Sequence, residues 1–164
     1  MKINSNNLKL HKLSLQDSLD NCNFDCGDED LNNFLFEDSY KYIENHLAIV
    51  YLVIYNEELV GYFSLTSDSI RVNKKLEIKH GLYPSVKIGR LAVDKKYRGN
   101  GIGTYMLKII AGIVENIRTN IGIRYLSVDA YNKKNTINFY SKNNFVMLKK
   151  VRNREQIPMY LDLD

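Results

Sequence analysis

Apolar side chains recur along this chain at two spacings, every second residue in some stretches and every third or fourth in others. Behind an acidic start, the helical spacing predicts a helix from about Asp28 to Glu44. Two runs rich in Val, Ile and Tyr, Leu47–Tyr55 and Leu59–Thr66, predict a hairpin. The other expected strands are 8–13, 85–94, 124–130, 145–151 and 157–163; the other expected helices are 102–118 and 133–142, and 72–83 is a loop or a short helix.

The order of these elements, β-α-β-β-β-α-β-α-β-β, predicts an α/β fold of the α+β kind. Its sheet should be mixed, mostly antiparallel and built of about seven strands. No repeat, low-complexity stretch or Pro/Ser/Gly linker interrupts the 164 residues, a length typical of one domain. We therefore expect a single domain over residues 1–164.

Composition narrows the class of protein. Hydrophobic residues make up 45% and charged residues 26%, as in soluble globular proteins. The longest apolar run, Leu47–Tyr55, is about half as long as a membrane-spanning helix, and the polar stretch 1–7 does not resemble a signal peptide. Cys22 and Cys26 would need two further ligands for a zinc site. We expect reduced thiols, no metal, no membrane contact and a cytoplasmic location.

Charge is distributed unevenly along the chain. Residues 1–70 hold 4 Lys/Arg against 12 Asp/Glu, a net charge of −8, and residues 71–164 hold 19 against 7, a net charge of +12. The second part therefore attracts anions. One interpretation is a solvated surface on which the signs happen to segregate. The other is a polyphosphate ligand, a nucleic acid, or both.

The most specific motif is the glycine-rich stretch RGNGIG at 98–103, between a predicted strand and a predicted helix. Its glycines allow close backbone approach, and free N–H groups at a helix start form a nest for phosphate oxygens. A Walker loop needs a Lys before Thr104, and a dinucleotide fingerprint needs a glycine at that position; neither motif matches. A tight strand-to-helix turn without a ligand is the remaining alternative.

The motif Arg98-x-x-Gly101-x-Gly103, after the strand IGRLAVD at 88–94, resembles the coenzyme A loop of the GNAT acetyltransferase superfamily. The segment VDAYN at 128–132, followed by Phe139-Tyr140 and Phe145, resembles that family's second half. The resemblance covers nearly the whole chain. It implies a single GNAT-like domain whose sheet is splayed in the middle and has helices on both faces, and an N-acetyltransferase that takes acetyl-CoA as co-substrate.

Three further motifs, FxCG at 24–27, LNxFL at 31–35 and VGYF at 60–63, resemble one branch of that superfamily. The branch includes acetyltransferase toxins of bacterial toxin–antitoxin modules, which acetylate the α-amine of an amino acid carried by tRNA. The resemblance thus implies an amine substrate, tRNA and a ribbon-helix-helix antitoxin as partners, in a monomer or homodimer. A small-molecule, protein or peptide amine as acceptor, and a coenzyme A-binding module without turnover, remain alternatives.

The resemblance also implies roles for individual residues. The pyrophosphate would lie on the loop backbone, the pantetheine arm between strands 85–94 and 124–130, and Asn132 would bind a pantetheine amide or cap a helix. Backbone N–H groups of 91–93 would form an oxyanion hole. Tyr140 would protonate the departing thiolate, with aromatic packing as the alternative role. The predicted cofactor-binding residues are Leu91, Ala92, Val93, Arg98, Gly99, Asn100, Gly101, Ile102, Gly103, Thr104 and Asn132.

Other polar residues are less informative. Glu77, His80 and Asp94 are possible general bases, but each fits a surface position better. The basic turn Lys95–Arg98 either flanks the phosphates or is simply solvated. Asn144 stands where the family usually has a Gly, and Asn still favours a left-handed helix cap.

Overall fold

The computed structural model describes residues 7–72, 81–148 and 154–164. The strands are β1 (Leu8–Lys12), β2 (Ile49–Tyr55), β3 (Glu58–Ile70), β4 (Tyr83–Val93), β5 (Tyr125–Tyr131), β6 (Val146–Met147) and β7 (Gln156–Asp162). The helices are α1 (Glu29–Asn33), a π-helical segment (Phe34–Asp38), α2 (Ser39–Glu44), a short 3₁₀ turn (Lys95–Tyr97), α3 (Ile102–Arg118) and α4 (Lys134–Lys142). Within the described ranges, no helix has the length and apolar character needed to cross a membrane.

The seven strands form one mixed sheet in the order β1-β2-β3-β4-β5-β7-β6. The pair β4–β5 is parallel, whereas β1–β2, β2–β3, β5–β7 and β6–β7 are antiparallel. The predicted fold class, an α/β fold with a mostly antiparallel seven-stranded sheet, is confirmed. The place of β7 between β5 and β6 was not predicted. The splay in the middle of the sheet and the helices on both faces stay predictions.

Most predicted elements are confirmed with shifted ends. The hairpin of β2 and β3 turns at Asn56 and Glu57, and β3 runs to Ile70, four residues past its predicted end. The structure contains β6 only as Val146–Met147, while part of its predicted range lies outside the described residues. Most of the predicted loop 72–83 also lies outside the described residues, because 73–80 are not described.

The chain packs as two compact units. Unit 1 comprises Met1–Thr66 and Gly89–Ile109, and unit 2 comprises Ser67–Ile88 and Ile110–Asp164. Unit 1 contains 9 Lys/Arg and 12 Asp/Glu, a net charge of −3, whereas unit 2 contains 14 and 7, a net charge of +7. The charge asymmetry seen along the sequence is therefore also an asymmetry between the packed units.

The core of unit 1 joins the N-terminal segment and helices to the hairpin. Its buried residues are Leu13, Leu19, Phe24, Cys26, Phe34, Leu35, Val50, Leu52, Leu59, Tyr62 and Ala92. The predicted helix 28–44 is helical from Glu29 to Glu44, with Asp28 as its N-cap, but the π turn in its middle was not predicted. This turn is closed by the N–H of Ser39, which donates to the carbonyl of Phe34, and it places Phe34 and Leu35 in the core together.

One buried cluster of unit 2 groups tyrosines beside a set of ion pairs. Tyr125 is fully buried, and its ring packs edge-on against Tyr83 (centroids 5.8 Å apart) and Tyr160 (5.2 Å). Arg124 pairs with Asp162 at 2.9 Å and stabilises the pairing of β5 with the C-terminal strand.

Both cysteines are free thiols, one half-buried (Cys22) and one buried (Cys26). Burial raises the pKa of both thiols, so neither favours the thiolate that a metal ligand or nucleophile needs. Among the described residues, no group of three or more His, Cys, Asp or Glu side chains is arranged to hold a metal ion.

Candidate functional site

The N-terminus of α3 presents free backbone donors. The carbonyl of Gly101 accepts the first helical bond from Tyr105 N–H at 2.9 Å, so the N–H groups of residues 102–104 have no acceptor within the helix. No other described residue accepts them. Gly99 and Gly101 have φ of +78° and +80°, and a Cβ built on Gly101 would meet no atom within 4 Å. Open space therefore lies over a row of N–H groups, as an anion-binding nest requires.

The side chains of this loop are engaged elsewhere. Asn100 donates its side-chain amide to the carbonyls of Tyr97 (3.0 Å) and Arg98 (3.3 Å), which holds the turn in shape. Arg98, expected beside the phosphates, donates instead to the carbonyl of Cys26, and Lys95 pairs with the carboxylate of Asp25. The groups that this loop leaves open to a ligand are therefore mainly backbone N–H donors.

Asp94 does not occupy the surface position that we expected. It is 2% exposed, and its carboxylate accepts the backbone N–H groups of Asp25 (2.9 Å) and Lys96 (2.8 Å). That expectation was wrong because an Asp just before a helical turn can satisfy free amides from inside the fold. The sequence signal was an Asp directly before the 3₁₀ turn. Glu77 and His80, the other candidates for a base, lie outside the described residues.

Of the three backbone N–H groups predicted to form an oxyanion hole, two remain candidates. The N–H of Asp94 donates to Val60 of β3 at 2.9 Å, and the Ala92 carbonyl faces Gly61, 3.0 Å from where a Cβ would lie. Because successive residues of a strand direct their polar groups to opposite edges, Ala92 N–H also faces β3. The N–H groups of Leu91 and Val93 face the other edge, where they are available to a ligand.

Tyr140 lies in α4 of unit 2 and is 6% exposed. Its ring packs edge-on against Phe139 and Phe145, with centroids 5.0 and 5.3 Å away. No described residue donates to its hydroxyl or accepts from it. Burial raises the pKa of Tyr140 well above its usual value, so the hydroxyl keeps its proton at neutral pH. The side chain is thus both packed and able to donate.

The turn after α4 fixes the aromatic pair. Asn144 has φ of +67°, which confirms the predicted left-handed cap, and Phe145 N–H donates to the Tyr140 carbonyl at 3.1 Å. A left-handed residue at this position brings the Phe145 ring back over Tyr140.

Asn132, expected to bind a pantetheine amide or cap a helix, joins two chain segments of unit 2. Its side-chain amide donates to the carbonyl of Arg154 at 2.9 Å, and its N–H donates to that of Glu155 at 2.8 Å. No described residue donates a hydrogen bond to its side-chain oxygen, which leaves this acceptor for a ligand. A cavity of about 350 Å³ nearby is lined by Asp129, Arg154, Glu155, Gln156 and Pro158.

The chain is similar to known acetyltransferases. The acetyltransferase (GNAT) domain family matches residues 46–147. A tRNA-acetylating toxin from Mycobacterium tuberculosis is 25% identical over 126 residues, 71% of this chain and 72% of that protein. Two solved structures share 25% identity and a TM-score of 0.80: AtaT complexed with acetyl-methionyl-tRNAfMet, covering 94% of both chains, and AtaTR bound with acetyl-CoA, covering 96% of this chain and 95% of that one. The chain therefore belongs to the GNAT acetyltransferase family and is an N-acetyltransferase.

Proposed function

We propose that this chain, acting as a single domain, transfers the acetyl group of acetyl-CoA to the α-amine of an amino acid esterified to tRNA. The observation that carries the proposal is the row of free N–H groups at the start of α3, which suits a pyrophosphate. The acceptor is supported by the similarity to a tRNA-acetylating toxin and to AtaT bound to an acetylated aminoacyl-tRNA. It is supported further by the charge of +7 on unit 2.

Acetyl-CoA is the co-substrate of GNAT acetyltransferases, and the loop residues of this chain fit it. Residues 102–104 offer three adjacent N–H donors, and the missing Cβ at Gly101 leaves room for phosphate oxygens. Lys96 is the remaining cation of the turn, since its ammonium contacts no described residue. We propose that the amides bind the pyrophosphate directly and that Lys96 adds long-range attraction.

The acyl transfer step needs donors for two developing charges. We propose that the N–H groups of Leu91 and Val93 hold the charge that grows on the thioester oxygen. As the C–S bond breaks, Tyr140 donates its proton to the departing sulfur, and the proton that the attacking amine loses passes to water, from which Tyr140 is reprotonated. Because burial raises the pKa of Tyr140, its hydroxyl keeps its proton at neutral pH, where a fraction of the acceptor α-amine is already neutral.

The acceptor amine needs no strong base in this scheme. An α-amino group has a pKa of about 7.7–8.0, so an appreciable fraction is neutral near pH 7.5. A lysine side chain, with a pKa near 10.4, is almost entirely charged at that pH. Transfer without a strong base therefore favours an α-amine over a lysine amine as the acceptor.

Unit 2 offers cations for the phosphates of a tRNA. Five basic residues of unit 2 form no ion pair with a described residue: Arg71, Lys133, Lys134, Lys142 and Arg154. Arg118 and Arg124, by contrast, are held by acidic partners near the C-terminus. If four phosphates are neutralised together, raising salt from about 50 to about 200 mM lowers the affinity about 50- to 150-fold.

The proposal is tested with labelled acetyl-CoA and three acceptors: bulk aminoacyl-tRNA, the same tRNA after deacylation, and a mixture of free amino acids. We expect label only on aminoacyl-tRNA, released by mild alkali as N-acetyl-amino acid. The KM for this acceptor should rise steeply with salt when acetyl-CoA is saturating. Labelling of the free amino acids alone would contradict the proposal and assign a small amine as acceptor.

A matched pair of lysines checks the contribution of unit 2. Lys142→Ala should raise the KM for aminoacyl-tRNA and reduce its salt dependence by about one phosphate. Lys41→Ala removes a lysine that pairs with Asp38 in unit 1 and should leave both quantities unchanged. Equal effects of the two substitutions would count against a tRNA surface on unit 2.

We further propose a ribbon-helix-helix antitoxin as protein partner, and a monomer or homodimer as the active state. A short adjacent reading frame that encodes such a protein, and that suppresses activity when added in equimolar amount, supports this. Full acetylation in the presence of that protein would contradict it.

A further inference from the structure

The loop that precedes α3 is fixed by a buried carboxylate. Both oxygens of Asp94 are used: one accepts Lys96 N–H at 2.8 Å, the other accepts Asp25 N–H at 2.9 Å. The residue is 2% exposed, so water does not compete for these bonds. Hydrogen bonds to a charged group are stronger than neutral ones, and breaking one in a buried site costs more. Asp94 thus joins two segments that are 69 positions apart in the chain.

Further contacts link the same two segments. Lys95 N–H donates to the Asp25 carbonyl at 2.9 Å, and the Lys95 ammonium pairs with the Asp25 carboxylate. Arg98 donates to the Cys26 carbonyl. Every one of these contacts ends on Asp25 or Cys26, so we call that pair of residues the anchor turn.

The anchor turn is itself rigid. The side chain of Asn32 accepts the N–H of Cys26 at 3.0 Å and donates to the carboxylate of Asp25 at 2.9 Å. Gly27 has φ of +70°, and its N–H donates to the Asp25 carboxylate at 2.7 Å. A turn held from several directions is a firm support for whatever is attached to it.

On its other side, the loop is held by the β2–β3 hairpin. The Tyr97 hydroxyl donates to the Glu58 carboxylate at 2.6 Å, which raises the pKa of Tyr97 to about 12. With the loop attached on both sides, the free N–H groups of 102–104 have a fixed direction before any ligand arrives. Fixing donors in advance reduces the entropy lost on binding.

We propose that Asp94 is a positioning residue for acetyl-CoA, which sets the pyrophosphate-binding amides by fastening the glycine loop to the anchor turn. The inference rests on the proposed assignment of the loop to the pyrophosphate. Asp94 touches no substrate; it acts through Lys96 N–H and the backbone of Asp25.

Asp94→Asn tests the proposal, because an amide of the same shape can accept only one of the two N–H groups and turns its NH₂ toward the other. We expect the dissociation constant for acetyl-CoA, measured by calorimetry, to rise on the order of ten- to hundredfold. The number of sites per chain should stay at the wild-type value. In turnover assays KM for acetyl-CoA should rise while kcat at saturation is retained.

Calorimetry separates positioning from folding. A variant that merely folds less well has fewer sites of unchanged affinity, and that result would overturn the proposal, as would wild-type affinity with full stoichiometry. Asp17→Asn is the matched control, because Asp17 also caps a turn in unit 1, accepting Ser14 N–H at 2.8 Å, but does not touch the loop. It should bind acetyl-CoA like the wild type.

If Asp94→Asn does not fold, Asp25→Ala decides the question. It removes the ion pair with Lys95 and the bonds from Asn32 and Gly27 N–H, which loosens the anchor turn while the backbone bonds to Asp94 remain, so the dissociation constant should rise about two- to fivefold. Wild-type affinity in that variant would then overturn the proposal. Failure of the loop assignment gives another pattern, in which Gly101→Asn also binds acetyl-CoA normally.

Discussion

The glycine loop of unit 1 and the surroundings of Tyr140 in unit 2 present hydrogen-bond donors in opposite ways. In the loop the side chains of Asp94, Arg98 and Asn100 hold the backbone in shape. The N–H groups of residues 102–104 have no acceptor among the described residues. Around Tyr140 the backbone is closed by helix and cap hydrogen bonds, and one side-chain hydroxyl has no partner among the described residues. Binding a polyanion needs several donors of fixed direction, whereas proton donation needs one titratable group.

This comparison predicts that the two regions affect different kinetic constants. Loss of the hydroxyl should affect the chemical step, and loss of space over the amides should affect binding of the acetyl donor. A single substitution that changes both kcat and the affinity for acetyl-CoA would show that the two regions do not have separate roles.

The largest expected effect is that of Tyr140→Phe. The ring and its contacts with Phe139 and Phe145 remain, so the fold and the affinity for acetyl-CoA should change little. If the hydroxyl donates to sulfur, kcat should fall about 10²–10⁴-fold. Steady-state kinetics with saturating acetyl-CoA measures this.

Tyr125→Phe is the control for that experiment. The Tyr125 hydroxyl is fully buried and has no hydrogen-bond partner among the described residues, so its removal should leave kcat unchanged and the melting temperature equal or higher. Unchanged kcat in Tyr140→Phe would mean that Tyr140 has only a packing role. Proton donation could then not be assigned to this region.

Second in size is Gly101→Asn. Asn tolerates the left-handed backbone at φ +80° better than other side chains, yet it places atoms where phosphate oxygens should lie. The affinity for acetyl-CoA should fall about ten- to hundredfold with kcat at saturation retained. Gly122→Asn, at a glycine of unit 2 with equally open surroundings, should bind as the wild type does. Identical affinities for the two variants would argue against a pyrophosphate at the loop.

The elements of this molecule differ in how far local sequence determined them. The bounds predicted for α3, Ile102 to Arg118, match the structure because its apolar positions repeat at one period over seventeen residues. The π turn at Phe34–Asp38 was missed, since it depends on two neighbouring residues that both pack into the core. The insertion of β7 between β5 and β6 was missed because strand order depends on long-range pairing.

The candidate site shows the same division. The glycine spacing identified the loop, because a left-handed backbone and a helix start are local properties. The link from Asp94 to Asp25 spans 69 positions, and no periodicity reports such a contact. The hydrogen bond from Arg98 to the Cys26 carbonyl could not be predicted either, because the sequence around a basic residue does not indicate which distant residue it contacts.

The third largest expected effect is on the stability of the fold, at Gly61 of β3. A Cβ at Gly61 would lie 3.0 Å from the Ala92 carbonyl oxygen and 3.2 Å from the Met106 sulfur, so β4 or α3 must shift. Gly61→Ala should lower the free energy of unfolding by about 1–3 kcal/mol. Chemical denaturation measures it.

Gly112→Ala is the matched control in α3, where a Cβ meets nothing within 4 Å. The same substitution there should raise the free energy of unfolding by up to about 1 kcal/mol, because alanine favours a helix. Effects of the same sign at the two glycines would show that the close packing under the loop is not the cause.

The smallest expected effect concerns the anchor turn and pH. The ammonium of Lys95, then the Asn32 amide and the Gly27 N–H, hold the pKa of the Asp25 carboxyl well below its usual value. A carboxyl whose pKa is lower in the folded state stabilises the fold above its unfolded pKa, near 3.9, and loses that contribution as pH falls below it. The wild type should therefore begin to lose its advantage in melting temperature over Asp25→Asn below about pH 5, and the loss should continue down to the folded-state pKa of Asp25, well below the unfolded value. In a Lys95→Ala background the largest cause of the shift is gone, so the effect of Asp25→Asn on the melting temperature should be smaller at pH 7 and vary less with pH. An effect that stays constant with pH in both backgrounds would show that the charge of Asp25 does not hold the anchor turn, and would leave the buried carboxylate of Asp94 as the link between the two segments.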